Sequence, residues 1–255
     1  MQCFNEYGQT INPILLSHGP YVVVDNDYIL YPDSHHFIKY DPLTGKREDL
    51  FISCKKAIAF AFNQTHLIWL DHHQAHIYHL SGKLNTTFIK KHYTLEPLLQ
   101  AHPHGGFLMS DGIANQKLIW LTVDGEQIRS WQLCGPILAL TVCNQNILVA
   151  CAALGKSENL AFYLLSDDSC QEHQETMCIG KIISQEGHLA WLRKDRHIML
   201  MNEDFTPYSI GILPENHHLM AFSPSLSYIA SLSITADTYE CQLWQIHPLQ
   251  EAYHV

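Results

Sequence analysis

Three features predict an all-β chain built as a single β-propeller of four-stranded blades, with six blades favoured and seven the alternative. Short apolar runs rich in Val, Ile, Leu, Tyr, Phe and Trp recur from end to end. Polar turns separate them, and no window sustains a helical stripe. One unit, an apolar strand followed by a polar turn and a second strand, returns at a regular interval.

The strands come first. YVVV (21–24), YILY (28–31), HLIWL (66–70), LIWLTV (118–123), ILALTV (137–142), ILVACAAL (147–154), LAFYLL (160–165) and HIMLM (197–201) are short runs, as strands are. Residues 181–196 come nearest to a helical pattern, but Gly187 and Trp191 suit strand, turn and strand better. The repeating unit appears as FIKY-DPLTGK-REDLFI (37–52), HIYHL-SGK-LNTTFI (76–89) and LIWLTV-DGE-QIRSWQL (118–133). It continues as LAFYLL-SDDSCQEHQ-ETMCI (160–179), HIMLM-NEDFT-PYSIGIL (197–213) and CQLWQI-HPLQ-EAYHV (241–255). With Ile38, Ile77, Ile119, Phe162, Ile198 and Leu243 as centres, the spacings are 39, 42, 43, 36 and 45. They scatter about the roughly 40-residue period of a propeller blade. Two more strands precede each unit, such as YVVV and YILY before the first, which makes four strands per repeat.

A blade has two faces, and both pack on neighbours. Middle strands therefore read as unbroken apolar runs, as ILALTV and ILVACAAL do. Closing such a ring requires an extra strand at one terminus. MQCFN-EYG-QTINPILL looks like half a repeat, so residues 1–18 are read as closing strands and 19–255 as about six repeats of one domain.

The last repeat, HHLMAFSPSLSYIASLSITADTYECQLWQI (217–246), carries Ala221-Phe222-Ser223-Pro224 and Leu243-Trp244. On these residues it resembles the WD40 repeat family, in degenerate form. The resemblance implies a propeller and a scaffold role. Only Gly187-His188 matches the family's Gly-His, and no Trp-Asp dipeptide occurs. The family's buried Asp–His–Ser/Thr–Trp network is therefore not expected here.

Composition bounds the function. Apolar residues make up 47% and charged residues only 16%, which excludes a disordered chain. Fifteen Lys and Arg against 25 Asp and Glu give a net charge of −10, against a phosphate-binding surface and a nucleic-acid partner. The eight cysteines form no C-x-x-C pair, and a chain this long needs no disulfide framework. The N-terminus shows no basic region followed by an apolar run, and no stretch suits a membrane span. A cytoplasmic protein without a secretory leader is expected. Asn63-Gln64-Thr65 and Asn85-Thr86-Thr87 are then chance glycosylation patterns.

Eighteen histidines outnumber all the lysines and arginines. Asp71, His72, His73, His76 and His79 lie within nine positions, and His102, His104 and Asp111 form a second group. Zinc needs three or four converging ligands, so the candidate metal ligands are His72, His73, His76, His102 and His104. The competing reading makes these residues exposed turns, with His76 and His79 flanking a third strand. Residues 35–36 and 72–73 fall between second and third strands, whereas 217–218 precede a first strand.

Cys54, Cys134 and Cys178 lie at or after fourth strands, and Cys143 and Cys151 read as core. No sequence pattern marks a catalytic cysteine, and none of the common phosphate-loop, dinucleotide, nucleophile-elbow or zinc-protease motifs occurs. The first strands offer few acidic residues to a channel site. The five tryptophans fall inside strands, as packing residues.

The reading is a non-catalytic protein–protein interaction scaffold or adaptor, a subunit of a larger assembly, with protein partners and no cofactor. One alternative is a metal-dependent, lactonase-like hydrolase with its site in the central channel. Another is a His-rich binding module responsive to pH or metal.

Overall fold

The computed structural model describes residues 3–4, 10–11, 23–25, 28–33, 35–41, 43–55, 57–63, 65–71, 73–89, 97–111, 116–153, 159–166, 169–176, 178–185, 187–223, 226–234 and 239–246. The described residues outside turns and links are β-strands. They fall into two compact units, Met1–Leu133 and Cys134–Val255.

In the first unit, β1 (Cys3–Phe4) pairs with β2 (Thr10–Ile11) as a small sheet of its own. Three antiparallel meanders follow. The first sheet is β3 (Val23–Asp25), β4 (Tyr28–Pro32), β5 (His36–Tyr40) and β6 (Arg47–Ser53). The second is β7 (Ala59–Phe62), β8 (His66–Leu70), β9 (Gln74–His79) and β10 (Leu84–Ile89). The third is β11 (Leu99–Ala101), β12 (Phe107–Asp111), β13 (Lys117–Leu121) and β14 (Gln127–Gln132).

In the second unit, the fourth sheet is β15 (Ile137–Cys143), β16 (Asn146–Ala152), β17 (Leu160–Leu165) and β18 (Cys170–Glu175). The fifth is β19 (Cys178–Gln185), β20 (His188–Arg193), β21 (His197–Met201) and β22 (Tyr208–Ile212). Among the described residues the sixth sheet has three strands, β23 (His217–Phe222), β24 (Tyr228–Ile234) and β25 (Tyr239–Gln245). The expected fourth strand, EAYHV (251–255), lies outside the described residues.

Middle strands are the most deeply buried, as sheets packed on both faces require. Every residue of β17 is buried, as are all but the first of β8. Each core lies between consecutive sheets of one unit. Leu30, Phe37 and Ile52 of the first sheet pack on Phe60, Leu67 and Trp69 of the second. Ile68 and Ile77 meet Phe107 and Ile119 of the third. Leu148 and Phe162 of the fourth sheet enclose Leu189 and Trp191 of the fifth, and Leu192 and Leu200 meet Leu219 and Ile229 of the sixth.

Links between sheets are held by polar side chains. Arg196 stands in the left-handed region at φ 70. Its Nε donates to the Leu213 carbonyl at 3.1 Å, and its Nη2 donates to those of Pro214 at 2.5 Å and His217 at 2.6 Å. One guanidinium thus holds three carbonyls of the crossing into the sixth sheet, which its planar array of donors suits. The Gly187 N–H donates to the buried Thr141 Oγ1 at 2.8 Å, tying the fifth sheet to the fourth.

Some boundaries differ from expectation, and residue 36, expected between strands, opens β5. The sequence pattern puts SDDSCQEHQ in a turn and the fourth strand at ETMCI, but Cys170–Glu175 is itself the fourth strand β18. Cys178 instead opens β19. An edge strand facing water need not be apolar, so its polarity mimics a turn. Residues 217–218 lie inside β23 rather than before it.

Candidate functional site

The histidine groups are best built from their turns. Asp71 opens the β8–β9 turn, and its Oδ1 accepts the His73 N–H at 2.7 Å and the Gln74 N–H at 2.6 Å. Its Oδ2 lies 3.6 Å from His76 Nε2. Burial alone would raise the Asp71 carboxyl, but these donors and His76 hold it below the usual carboxylate value. His76 lies within β9 rather than beside it, as does His79, and it stacks on Trp69 at 4.0 Å between ring centroids. Its Nδ1 is 3.2 Å from Thr87 Oγ1. His72 lies outside the described residues.

The second group sits in the β11–β12 turn. His102 is buried against Trp120, with ring centroids 4.0 Å apart. Its Nδ1 accepts the His104 N–H at 3.2 Å, and the two imidazoles lie 5.6 Å apart. His102 and His104 thus meet each other, and His76 meets Asp71. Among the described residues, no group of three or more His, Cys, Asp or Glu side chains could hold a metal ion.

One pairing went unread in the sequence. His66 and His79 are direct cross-strand partners, with rings edge to face at 5.1 Å. Burial first, and then the facing His79, hold His66 below the usual imidazole value. The signal available was spacing alone, two histidines at mirrored ends of a hairpin.

Three thiols, Cys54, Cys151 and Cys178, are buried, and Cys143 is half-buried. Burial, with Asp33 second, pushes Cys54 up to about 11, and its Sγ donates to the Asp33 carbonyl at 3.1 Å. Burial, with Glu175 second, pushes Cys178 up to about 12. Cys151, Cys143 and Cys170 are raised by the same cause. These thiols stay protonated at neutral pH, which suits packing rather than nucleophilic attack.

The sixth sheet corrects an expectation. Ser231 on β24 is fully buried, and its Oγ accepts from Trp244 Nε1 at 2.7 Å. The same oxygen lies 3.0 Å from His217 Nδ1. Three strands are thereby tied by a His–Ser–Trp chain, three of the four members of the network not expected here. The dipeptides Gly-His and Trp-Asp were poor guides. What the network needs is a His at the head of the first strand, a Ser in the second and a Trp in the third.

Solved structures share the chain's backbone fold. Its fold is that of a WD40-like β-propeller. The WD40 domain of SCAP from fission yeast matches at a TM-score of 0.56 and 10% identity, over 90% of this chain and 74% of that one. The computationally designed protein Ika8 matches at 0.58 and 13%, over 94% and 75%. A chain of the mitotic checkpoint complex matches at 0.55 and 12%, over 87% and 78%. No protein-family model and no curated protein matches the chain. In this WD40-like setting the His–Ser–Trp chain is a structural element, and the surface is where function must be sought.

Proposed function

We propose that this chain is a non-catalytic protein–protein interaction scaffold or adaptor, working in the cytoplasm as a subunit of a larger assembly. The carrying observation is its exposed apolar surface. Large side chains stand in water on strands of both units, among them Phe51 at 77% exposure, Ile212 at 67% and Leu243 at 58%. Apolar residues at such exposure on rigid sheets suit contact with a partner. The shift of the thiols away from their reactive form supports the same reading. So does the fold, which a chain of the mitotic checkpoint complex shares.

The test is isolation of the tagged full chain from its native cell under mild conditions. The expected result is elution well above its own 29.2 kDa with one or more proteins in fixed ratio. Elution alone, with only substoichiometric companions, would overturn the reading.

A further inference from the structure

First strands in the second unit are interrupted where those of the first unit are regular. In β15 the register steps from Ile137 opposite Cys151 to Ala139 opposite Ala150, leaving Leu138 without a facing residue. In β23 it steps from Leu219 opposite Ser231 to Ala221 opposite Ala230, leaving Met220. In β19 it steps from Ile179 opposite Leu192 to Ile183 opposite Ala190, so residues 180–182 span one position, with Gly180 at φ 74. By contrast β3, β7 and β11 pair with their second strands without a shift.

Bulges re-aim side chains, and these aim them at solvent. Leu138 is 41% exposed and Met220 50%. Gly180 and Lys181 are exposed between them in chain order. Strand β19 runs beside both β15 and β23, so the three bulged strands are neighbours. Lys181 is the only Lys, Arg, Asp or Glu in these three strands. The titratable groups that accompany it there are Cys143, Cys178, buried His217 and exposed His218. In a chain of net charge −10, a single ammonium on a strand whose neighbours carry exposed apolar side chains is a local reversal of sign.

We infer that the bulged first strands of the second unit form a docking surface for a short extended peptide with a carboxylate side chain between apolar ones. The carboxylate meets Lys181, and the apolar side chains cover Leu138 and Met220. Charge complementarity fixes the partner's sign, since no acidic side chain on these strands competes for the ammonium and a basic peptide would meet like charge. The inference rests on the scaffold reading and names the kind of partner that reading requires.

The test pans a random peptide display library against the full chain, then measures synthetic copies of the selected peptides by fluorescence anisotropy. Selected peptides should carry Asp or Glu flanked by Leu, Ile, Phe or Met. Affinity should fall about tenfold or more in K181E and in the double variant L138S/M220S. It should hold in L243S, which removes a comparably exposed Leu from β25. Panning against K181E should return Lys or Arg in place of the acid. Peptides without acidic residues, or equal binding by all variants, would overturn the inference. Unchanged melting temperatures show that the variants fold. If native partners stay bound to K181E and to L138S/M220S, this surface is wrong while the scaffold reading stands. Peptide binding as described by a chain that has no native partner would leave the surface and remove the assembly.

Discussion

The two units carry the same meander and break it in different places. In the first, the shifts fall on fourth strands. β6, β10 and β14 each slip once against the third strand, while the first strands pair regularly. In the second, all three first strands slip, and β22 slips as well. Strand β18 pairs with β17 in unbroken register, and it is the most polar of the fourth strands. A fourth strand is a sheet edge. A bulge bends it away from stray pairing, and a polar sequence such as CQEHQE serves the same end. Both kinds of bulge place apolar side chains in water, Phe51 on β6 and Ile128 on β14 as much as Leu138 and Met220 on the first strands of the second unit. The lesson is that one backbone irregularity occurs in two settings, told apart by where the strand lies: at a sheet edge in the first unit, beside neighbouring first strands in the second.

The largest test of this contrast lies in two glycines. Gly106, in the first unit, has φ 78, and a Cβ there would overlap the Leu121 carbonyl oxygen. Gly180, in the β19 bulge, has φ 74 and nothing within 4 Å of the same atom. Gly106→Ala should cost more than about 3 kcal/mol. Gly180→Ala should cost about 1 kcal/mol. Equal losses in urea unfolding would mean that the two glycines are alike in surroundings.

The next contrast is between two buried serines. Ser231 serves both Trp244 and His217, whereas the Ser110 Oγ of the first unit accepts the Leu98 N–H, at 2.8 Å, and makes no second bond among the described residues. Ser231→Ala should cost about 2 kcal/mol and Ser110→Ala about 1 kcal/mol, by the same unfolding measurement. A reversed order would demote the His–Ser–Trp chain from its structural role.

The two kinds of bulge should also differ in sign. Phe51 sits in a left-handed conformation at φ 54. Phe51→Gly should therefore stabilise by about 1 kcal/mol. Met220 lies outside that region, and Met220→Gly should destabilise by about 0.5–1 kcal/mol. A loss at both positions would remove the backbone distinction.

The smallest effect concerns pH and the first unit alone. Since folding lowers the His66 value, the unfolded chain binds its proton more readily. Stability is full above about pH 6.5 and declines as pH falls through that value towards the lower folded one. Thermal melts from neutral to mildly acidic pH should show the decline, and His79→Ala should reduce it. A slope unchanged in that variant would show that His79 has no part in it.

Much of the fold was legible because buried strands advertise themselves. LAFYLL and HLIWL cannot be other than packed runs, and the tryptophans fell in strands as read. Edge strands carry no such mark, so CQEHQ reads as part of a turn. Register shifts were invisible too, since Leu138 and Met220 look like any core residue until the pairing is known. The histidine clusters were visible as composition, but their partners were not. His102 is buried on Trp120 because of how a turn folds, and His217 meets Ser231 across a strand register that sequence spacing does not reveal.

Arg196 has a consequence for continuity of the chain. Its fork holds the carbonyls of Leu213 and Pro214 on one side of residues 215–216 and that of His217 on the other. A cut between Glu215 and Asn216 would leave both new ends gripped by the same guanidinium. That crossing is therefore a natural place to open the polypeptide, and to begin and end a circularly permuted version of it.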